Sequence, residues 1–273
     1  MRINKKITTI LASSLIIISM VGCAPKESAT EVTKKYLDSV KSKDYETAYN
    51  LLSKDSKKDV TLEDYKEYQE VYDKCQIVKS YKLGEEKRVD KYKYAGKNYS
   101  KLIKIKETAT LQSTDDNKED TSNSDRYFIV EDNKYKLLWH DDFKENFSSN
   151  YVDVAWMEID KKENKDLNRA AIDIKKAIEI DSKNSRAYYA LAYVYVDLKR
   201  YDEALNAADK CLEYLDKDDE YYKSSSSDIY NLKGVIYMDK EDFSKAKEYY
   251  NKALELNSDN EYAKTNLNYI KDL

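Results

Sequence analysis

Residues that break helices or supply common catalytic chemistry are scarce in this 273-residue chain. It contains four Gly, one Pro, three Cys and a single His. Because Gly and Pro punctuate regular structure, their scarcity favours helices joined by short polar turns. It also argues against a long flexible linker between domains.

Known catalytic and metal-binding signatures are also missing. His140, beside Asp141 and Asp142, has no second His and no Cys at ligand spacing, so it is interpreted as a solvated residue at a strand end. We find no Gly-rich phosphate loop, no nucleophile motif and no HExxH motif. The sequence therefore predicts a protein that is not an enzyme and has no cofactor and no metal site.

The N-terminus has the layout of a signal peptide. Arg2, Lys5 and Lys6 precede the uncharged apolar run 7–22, which is shorter than the roughly 20 residues that a membrane-spanning helix needs. The run stops at Cys23, and Met20-Val21-Gly22-Cys23 resembles the bacterial lipobox. This resemblance implies cleavage after residue 22 and lipidation of Cys23, whose acyl chains would anchor the protein to the outer face of the cell membrane.

Removal of residues 1–22 leaves an acidic protein. Three of the 48 basic residues are lost, so 45 basic and 52 acidic residues give a net charge of −7. Nucleic acid is therefore not expected as a partner. The bias towards Lys, Asn, Ile and Tyr resembles proteins of AT-rich, clostridial-type Gram-positive genomes. The remaining cysteines, Cys75 and Cys211, fall in different predicted domains, so no disulfide framework is indicated.

The C-terminal half contains repeats. Ala177, Cys211 and Ala253 occupy equivalent places in KKAIEID, DKCLEYL and NKALELN, and the first two are 34 residues apart. This period, with small and aromatic residues around it, resembles the tetratricopeptide repeat. The resemblance implies an all-α solenoid over 151–273, in which Glu261 to Leu273 forms a C-terminal cap helix. Eight extra residues near Asp216 to Ser227 are expected to form a longer helix end and a serine-rich loop.

The N-terminal half changes from helical to strand periodicity. Two short helices broken around Lys43-Asp44 and a helix begun by Thr61 with Asp64 are predicted first. Strands are predicted over Ile77–Leu83, Val89–Tyr94, Tyr99–Leu111, Tyr127–Glu131 and Tyr135–Trp139. Gly96 and Asp132-Asn133 mark hairpin turns, and Ser113 to Asp125 is predicted to be a mobile hairpin loop.

These features resemble the cone-shaped nuclear-transport-factor-2-like fold. The phrase KKYLDSVKSKDYETAYNLLS, the hairpin FIVEDNKYKLLWHDDF and the position of Trp139 before Asp141 are similar to the non-catalytic N-terminal domain of methicillin-resistance penicillin-binding proteins. The predicted organisation is a lipidated tether (23–28), an α+β cone-like domain (29–147) and the tetratricopeptide-repeat domain (151–273).

The repeat resemblance also implies a binding surface, because in this family the first helix of each unit lines a concave groove. The groove residues implied for the second and third units are Arg186, Tyr189, Tyr193, Asp197, Asp228, Asn231, Val235 and Met238. They lack the Lys, Asn and Arg clamp for a C-terminal carboxylate. Tyrosines that contact a protein or peptide partner and tyrosines that merely pack against the next helix are equally consistent with the pattern.

Two functions remain open. In the first, the chain is a protein-binding scaffold or adaptor at the cell envelope. In the second, the cavity of the cone-like domain binds or converts a small ligand or a cell-wall fragment, and the repeats recruit a partner. A transporter's substrate-binding lipoprotein is disfavoured, because two α/β lobes are not predicted.

Overall fold

The computed structural model describes residues 25–140 and 142–270. The predicted signal peptide (1–22) and Cys23 lie outside the described residues, as does Asp141.

The described part of the chain begins with three helices: α1 (Ala29–Lys41), α2 (Tyr45–Asn50) and α3 (Leu62–Cys75). Thr61 caps α3 in a capping box with Asp64, in which each side chain bonds the backbone N–H of the other residue. Lys43 has a positive φ of 61°, so the helical conformation of α1 cannot continue through it. The Asp44 side chain then caps the N-terminus of α2. Both the break at Lys43-Asp44 and the cap at Thr61 are confirmed.

Seven strands follow: β1 (Gln76–Leu83), β2 (Lys87–Val89), β3 (Tyr92–Tyr94), β4 (Lys97–Tyr99), β5 (Leu102–Ser113), β6 (Glu119–Glu131) and β7 (Lys134–Leu138). The main sheet is antiparallel in the order β1-β5-β6-β7, and β2 also pairs with β5. Strands β3 and β4 form a separate hairpin. Ile105, Phe128 and Leu137 of the main sheet share a core with Tyr36 of α1 and Tyr65 of α3. The predicted order of helices followed by an antiparallel sheet is confirmed.

The two predicted hairpin turns are present. Gly96 connects β3 to β4 with a φ of 77°, a conformation that is free of cost for glycine. Asp132 and Asn133 connect β6 to β7 with φ values of 48° and 56°. Two consecutive residues with positive φ form a two-residue turn whose twist matches that of the flanking strands.

The predicted hairpin loop over Ser113 to Asp125 is wrong. Only residues 114–118 form the turn, since β5 runs to Ser113 and β6 begins at Glu119. The polar residues of this segment pair across the two strands, and the Thr108 hydroxyl donates a hydrogen bond to Asn123 Oδ1 at 2.8 Å. Residues 119–125 of β6 are exposed on both faces of the strand. They therefore lack the alternation of apolar and polar residues by which strands are predicted.

The predicted strands Val89–Tyr94 and Tyr99–Leu111 are each divided in the structure. The first is split between β2 and β3, and the second between β4 and β5. Lys101, with a positive φ of 60°, separates β4 from β5. The division lets β3 and β4 pair with each other instead of extending the main sheet.

Residues 142–270 contain seven helices: α4 (Phe143–Ile159), α5 (Leu167–Ile180), α6 (Ser185–Asp197), α7 (Tyr201–Tyr214), α8 (Tyr222–Asp239), α9 (Phe243–Leu256) and α10 (Glu261–Tyr269). They pack as the pairs α4/α5, α6/α7 and α8/α9, followed by α10. Ala170, Ala204 and Ala246 are fully buried in the second helices of the three pairs. Residues this small let paired helices approach closely.

The serine-rich loop expected between the second and third units is instead part of a helix. Helix α8 begins at Tyr222, so Ser224 to Ser227 lie within its first two turns. The Ser224 hydroxyl donates to the carbonyl of Tyr221, and the Ser227 hydroxyl donates to the carbonyl of Ala253, both at 2.8–2.9 Å. These bonds to backbone carbonyls satisfy the hydroxyls within helical structure, which serine composition alone does not reveal.

The predicted boundary between 147 and 151 falls inside α4, which begins at Phe143. Phe147 and Tyr151 of α4 are buried against the first half, and the Tyr68–Phe147 ring centroids are 5.8 Å apart. The Tyr151 hydroxyl donates to the Glu67 carboxylate. One core of buried residues runs through both halves.

Candidate protein-interaction groove

Helices α4, α6, α8 and α10 pack side by side, whereas α5, α7 and α9 form the second layer. We call the layer formed by α4, α6, α8 and α10 the groove face. The eight sequence-predicted groove residues all lie on its two central helices. Arg186, Tyr189, Tyr193 and Asp197 belong to α6, and Asp228, Asn231, Val235 and Met238 belong to α8.

Two predicted tyrosines meet Trp156 of α4. The Trp156 ring centroid lies 6.2 Å from that of Tyr189 and 5.6 Å from that of Tyr193, both in tilted contacts. Burial raises the pKa of Tyr189 to about 12, whereas Tyr193 keeps 36% of its surface exposed. Tyr189 is therefore partly a packing residue, and Tyr193 presents its ring to solvent.

The polar residues of the groove face are held by neighbouring helices. Arg186 Nη2 donates to Asp153 Oδ1 on α4 at 2.8 Å. Asp228 Oδ1 accepts a hydrogen bond of 2.9 Å from the amide of Asn260, and burial raises the pKa of Asp228. Each contact joins consecutive groove-face helices and fixes the spacing of the groove.

The third unit contributes less open surface than expected. Asn231 Oδ1 accepts a hydrogen bond of 3.0 Å from the Asn266 amide on α10. Val235 and Met238 pack against a core cluster that contains Tyr250, whose hydroxyl donates to Met238 Sδ at 3.6 Å. Contacts with α9 and α10 therefore occupy much of the α8 side of the groove.

Sequence reasoning missed two aromatic residues of this surface. Trp156 on α4 precedes Tyr193 by 37 residues, a spacing that departs from the 34-residue period of the repeats. Tyr262 lies in the predicted cap helix, where an aromatic residue is usually part of the core, yet it is 76% exposed.

A small pocket opens between α6, α7 and α8. Its volume is about 130 Å³, and it contains three of the predicted groove residues. The lining residues are Ser185, Arg186, Tyr189, Cys211, Leu215, Ser225, Asp228 and Ile229. Cys211 is 2% exposed, its thiol contacts the carbonyl of Ser185 at 3.1 Å, and burial raises its pKa to about 12. The thiol is therefore protonated at neutral pH.

A second cavity of about 310 Å³ lies in the first half, between α1, α3 and the sheet. Arg126 and Glu107 form a buried ion pair in its wall, and the carboxylate raises the pKa of Arg126 although burial opposes the charge. The guanidinium lies 5.2 Å from the ring centroid of Tyr36. Asn150 of α4 closes one side, so the first helix of the repeats contributes to this cavity.

Within residues 25–140 and 142–270, no group of three or more His, Cys, Asp or Glu residues could hold a metal ion. His140 has a side chain that is 44% exposed, and its ring lies beside Tyr68 and Trp139. None of the helices in the same ranges is both long and apolar enough to cross a bilayer.

The fold of the C-terminal half defines a helical-repeat protein, and comparison with known families gives the kind of repeat. Tetratricopeptide-repeat profiles match residues 162–227 and 227–260. Residues 162–260 therefore consist of tetratricopeptide repeats, which confirms the resemblance seen in the sequence. Such repeats are protein-interaction scaffolds that present extended binding surfaces.

Heat shock protein STI1 of Saccharomyces cerevisiae is 32% identical over 107 residues, which make up 39% of this chain. The chain spans 17% of the length of that relative. Among solved structures, the Arabidopsis OM64 TPR domain is 17% identical, with 47% of this chain and 98% of that chain covered and a TM-score of 0.40. The first TPR of Spaghetti (RPAP3), bound to the HSP90 peptide SRMEEVD, is 18% identical, with 46% and 90% covered and a TM-score of 0.38.

Proposed function

We propose that this chain is an extracytoplasmic lipoprotein, held at the cell membrane through lipid on Cys23, whose repeats capture a protein or peptide partner. The observation that carries the binding role is the aromatic surface of the groove face, where the ring of Trp156 contacts those of Tyr189 and Tyr193 and where Tyr262 is exposed on α10. Rigid aromatic side chains with exposed edges supply large contact area at low entropic cost. Catalysis is not part of the proposal.

The binding role is tested by replacing Tyr189 and Tyr193 with Ala and by affinity capture from intact cells. Loss of the rings should reduce partner capture while helical circular dichroism is retained, because Tyr193 is partly exposed. The matched control is Tyr221→Ala with Tyr269→Ala, since these tyrosines are 63% and 60% exposed outside the aromatic surface. Equal capture by both double variants would remove the groove from the proposal.

The anchoring role is tested separately at Cys23. Cys23→Ser should abolish palmitate labelling and release the protein or leave it unprocessed, because a thioether-linked lipid needs the sulfur atom. Cys75→Ser is the control and should be labelled like the wild type. Labelling that persists in Cys23→Ser would refute lipidation at this residue.

A second candidate function is small-ligand binding in the cavity between α1, α3 and the sheet. The specific observation is the buried Arg126–Glu107 pair beside Tyr36, which offers charged hydrogen-bonding groups in a cavity of about 310 Å³. Native mass spectrometry of protein purified from its source would reveal a co-purifying molecule. That molecule should disappear when Ala109, a lining residue, is replaced by Phe.

A further inference from the structure

The three junctions between successive groove-face helices are not built alike. At the first, Ser148 on α4 donates to the carbonyl of Ala177 and accepts a hydrogen bond of 2.7 Å from the amide of Asn184, the cap of α6. At the third, Ser227 donates to the carbonyl of Ala253 and accepts a hydrogen bond of 2.8 Å from Asn260. A buried serine and a capping asparagine thus close both junctions.

The middle junction lacks this bridge. Ser185 precedes Cys211 by 26 residues, just as Ser227 precedes Ala253, so Ser185 is the corresponding serine. The eight-residue insertion starts α8 about one turn earlier, at Tyr222. Ser226 then stands inside the helix where the other units have their capping asparagine, and its hydroxyl is buried with no hydrogen-bond partner among the described residues.

The pocket of about 130 Å³ lies at this unbridged junction, since Ser185, Cys211 and Ser225 line it. Leu215 and Ile229 make its wall largely apolar. A dry cavity of roughly 150 Å³ accommodates a molecule the size of benzene, so this pocket suits one aliphatic side chain. Arg186 and Asp228 also line it, and each could bond the backbone of an extended segment.

The groove face carries carboxylates. Asp228 lines the pocket, Asp197 is the last residue of α6, and Asp160 directly follows the last residue of α4. Among the described residues, neither Asp160 nor Asp197 has a cation at ion-pair distance, and Arg186 is already bonded to Asp153. Cationic side chains complement both carboxylates and aromatic faces.

We propose that the groove face selects a partner segment in which one aliphatic side chain is flanked by lysine or arginine residues. The aliphatic side chain enters the pocket at the middle junction, and the cationic residues lie along Tyr193 and Tyr262 beside the groove carboxylates. This specificity rests on the proposed protein-binding function and names the chemistry of its partner.

The probe is a random library of twelve-residue peptides displayed on phage and selected on the immobilised chain. Enriched peptides are synthesised and their dissociation constants measured by fluorescence anisotropy. The groove variant is Asp160→Asn, Asp197→Asn and Asp228→Asn. The matched control is Glu179→Gln, Glu213→Gln and Glu255→Gln, three exposed carboxylates at equivalent positions of α5, α7 and α9.

Enriched peptides should combine an aliphatic residue with two or more basic residues. The groove variant should bind them about tenfold more weakly, and the control should bind within about twofold of wild type. Ser225→Leu, which fills the pocket, should weaken binding of peptides with an aliphatic anchor, whereas Lys223→Leu on the exposed side of α8 should not. Circular dichroism verifies that each variant is folded.

Enrichment of acidic or uncharged peptides would overturn the specificity and leave the protein-binding function standing. Equal weakening by the groove variant and its control would also overturn the specificity, because the effect would then reflect net charge. If no peptide is enriched, both the specificity and the protein-binding function of the groove fail.

Discussion

Gly234 provides the sharpest test of the repeat packing. It lies in α8, where a Cβ atom would be 2.5 Å from Cδ1 and 3.0 Å from Cζ of Tyr250 on α9. Tyr250 is fully buried, and its hydroxyl contacts Met238. The ring therefore cannot swing into solvent to make room for a methyl group.

Two effects of Gly234→Ala oppose each other. Alanine favours a helix interior over glycine by about 1 kcal/mol. Overpacking a filled core costs about 1–3 kcal/mol. Because the contact is made to a buried ring, the steric cost should prevail and leave a net loss of about 1 kcal/mol. A loss of this size lowers the melting temperature by roughly 2–4 °C in a chain of this length.

Thermal and urea unfolding followed by circular dichroism measure this change. Gly84→Ala is the control, since its Cβ would lie 3.5 Å from Lys106 in ordinary contact. In a Tyr250→Leu background the ring is gone, so Gly234→Ala should become stabilising by about 1 kcal/mol through helix propensity. If Gly234→Ala is as stable as the wild type, or if its effect has the same sign in both backgrounds, the close crossing is refuted.

Three further predictions concern buried groups. Ala204→Leu and Ala246→Leu should each destabilise the repeats by about 1–3 kcal/mol, seen as lower melting temperatures, and wild-type stability would refute the repeat register. Cys211 should resist a bulky maleimide until the protein unfolds, because burial keeps its thiol protonated, and mass spectrometry of native labelling would detect any contrary reaction. Replacing Arg126 alone by Met should cost about 3–5 kcal/mol in urea unfolding, and adding Glu107→Leu should recover much of that loss. A double variant less stable than the single one would contradict this account of the ion pair.

The repeats could be predicted from the sequence because their geometry constrains residue size at fixed spacing. Ala177, Cys211 and Ala253 are buried at equivalent places, where the packing of the helices requires only a small side chain. The start of the first unit was predicted less well. Phe147 and Tyr151 of α4 serve the core of the first half, so α4 carries a mixed pattern that matches neither half completely.

The surface of the groove was predicted in part. The repeat resemblance assigned Tyr189 and Tyr193 to the first helix of the second unit, and both lie on α6 with their rings against Trp156. It could not show that Tyr262 is exposed, because an aromatic residue on an amphipathic helix is usually a core residue. Nor could it reveal the pocket at the middle junction, which depends on where α8 begins and on which hydroxyls find partners.

Helix α4 belongs to the C-terminal half and also packs against the first half. Its first turns place Phe147 against Tyr68, and they place Asn150 in the wall of the cavity between α1, α3 and the sheet. Its later turns place Trp156 against Tyr193 on the groove face. A helix transmits a displacement along its axis more readily than a flexible linker does, because its backbone hydrogen bonds resist bending. Asn150 in the cavity wall and Trp156 on the groove face are thus held by a single helix. The carboxylate of Glu67 strengthens the attachment, since it accepts the hydroxyl of Tyr151 and lies 3.6 Å from the ammonium of Lys176 on α5.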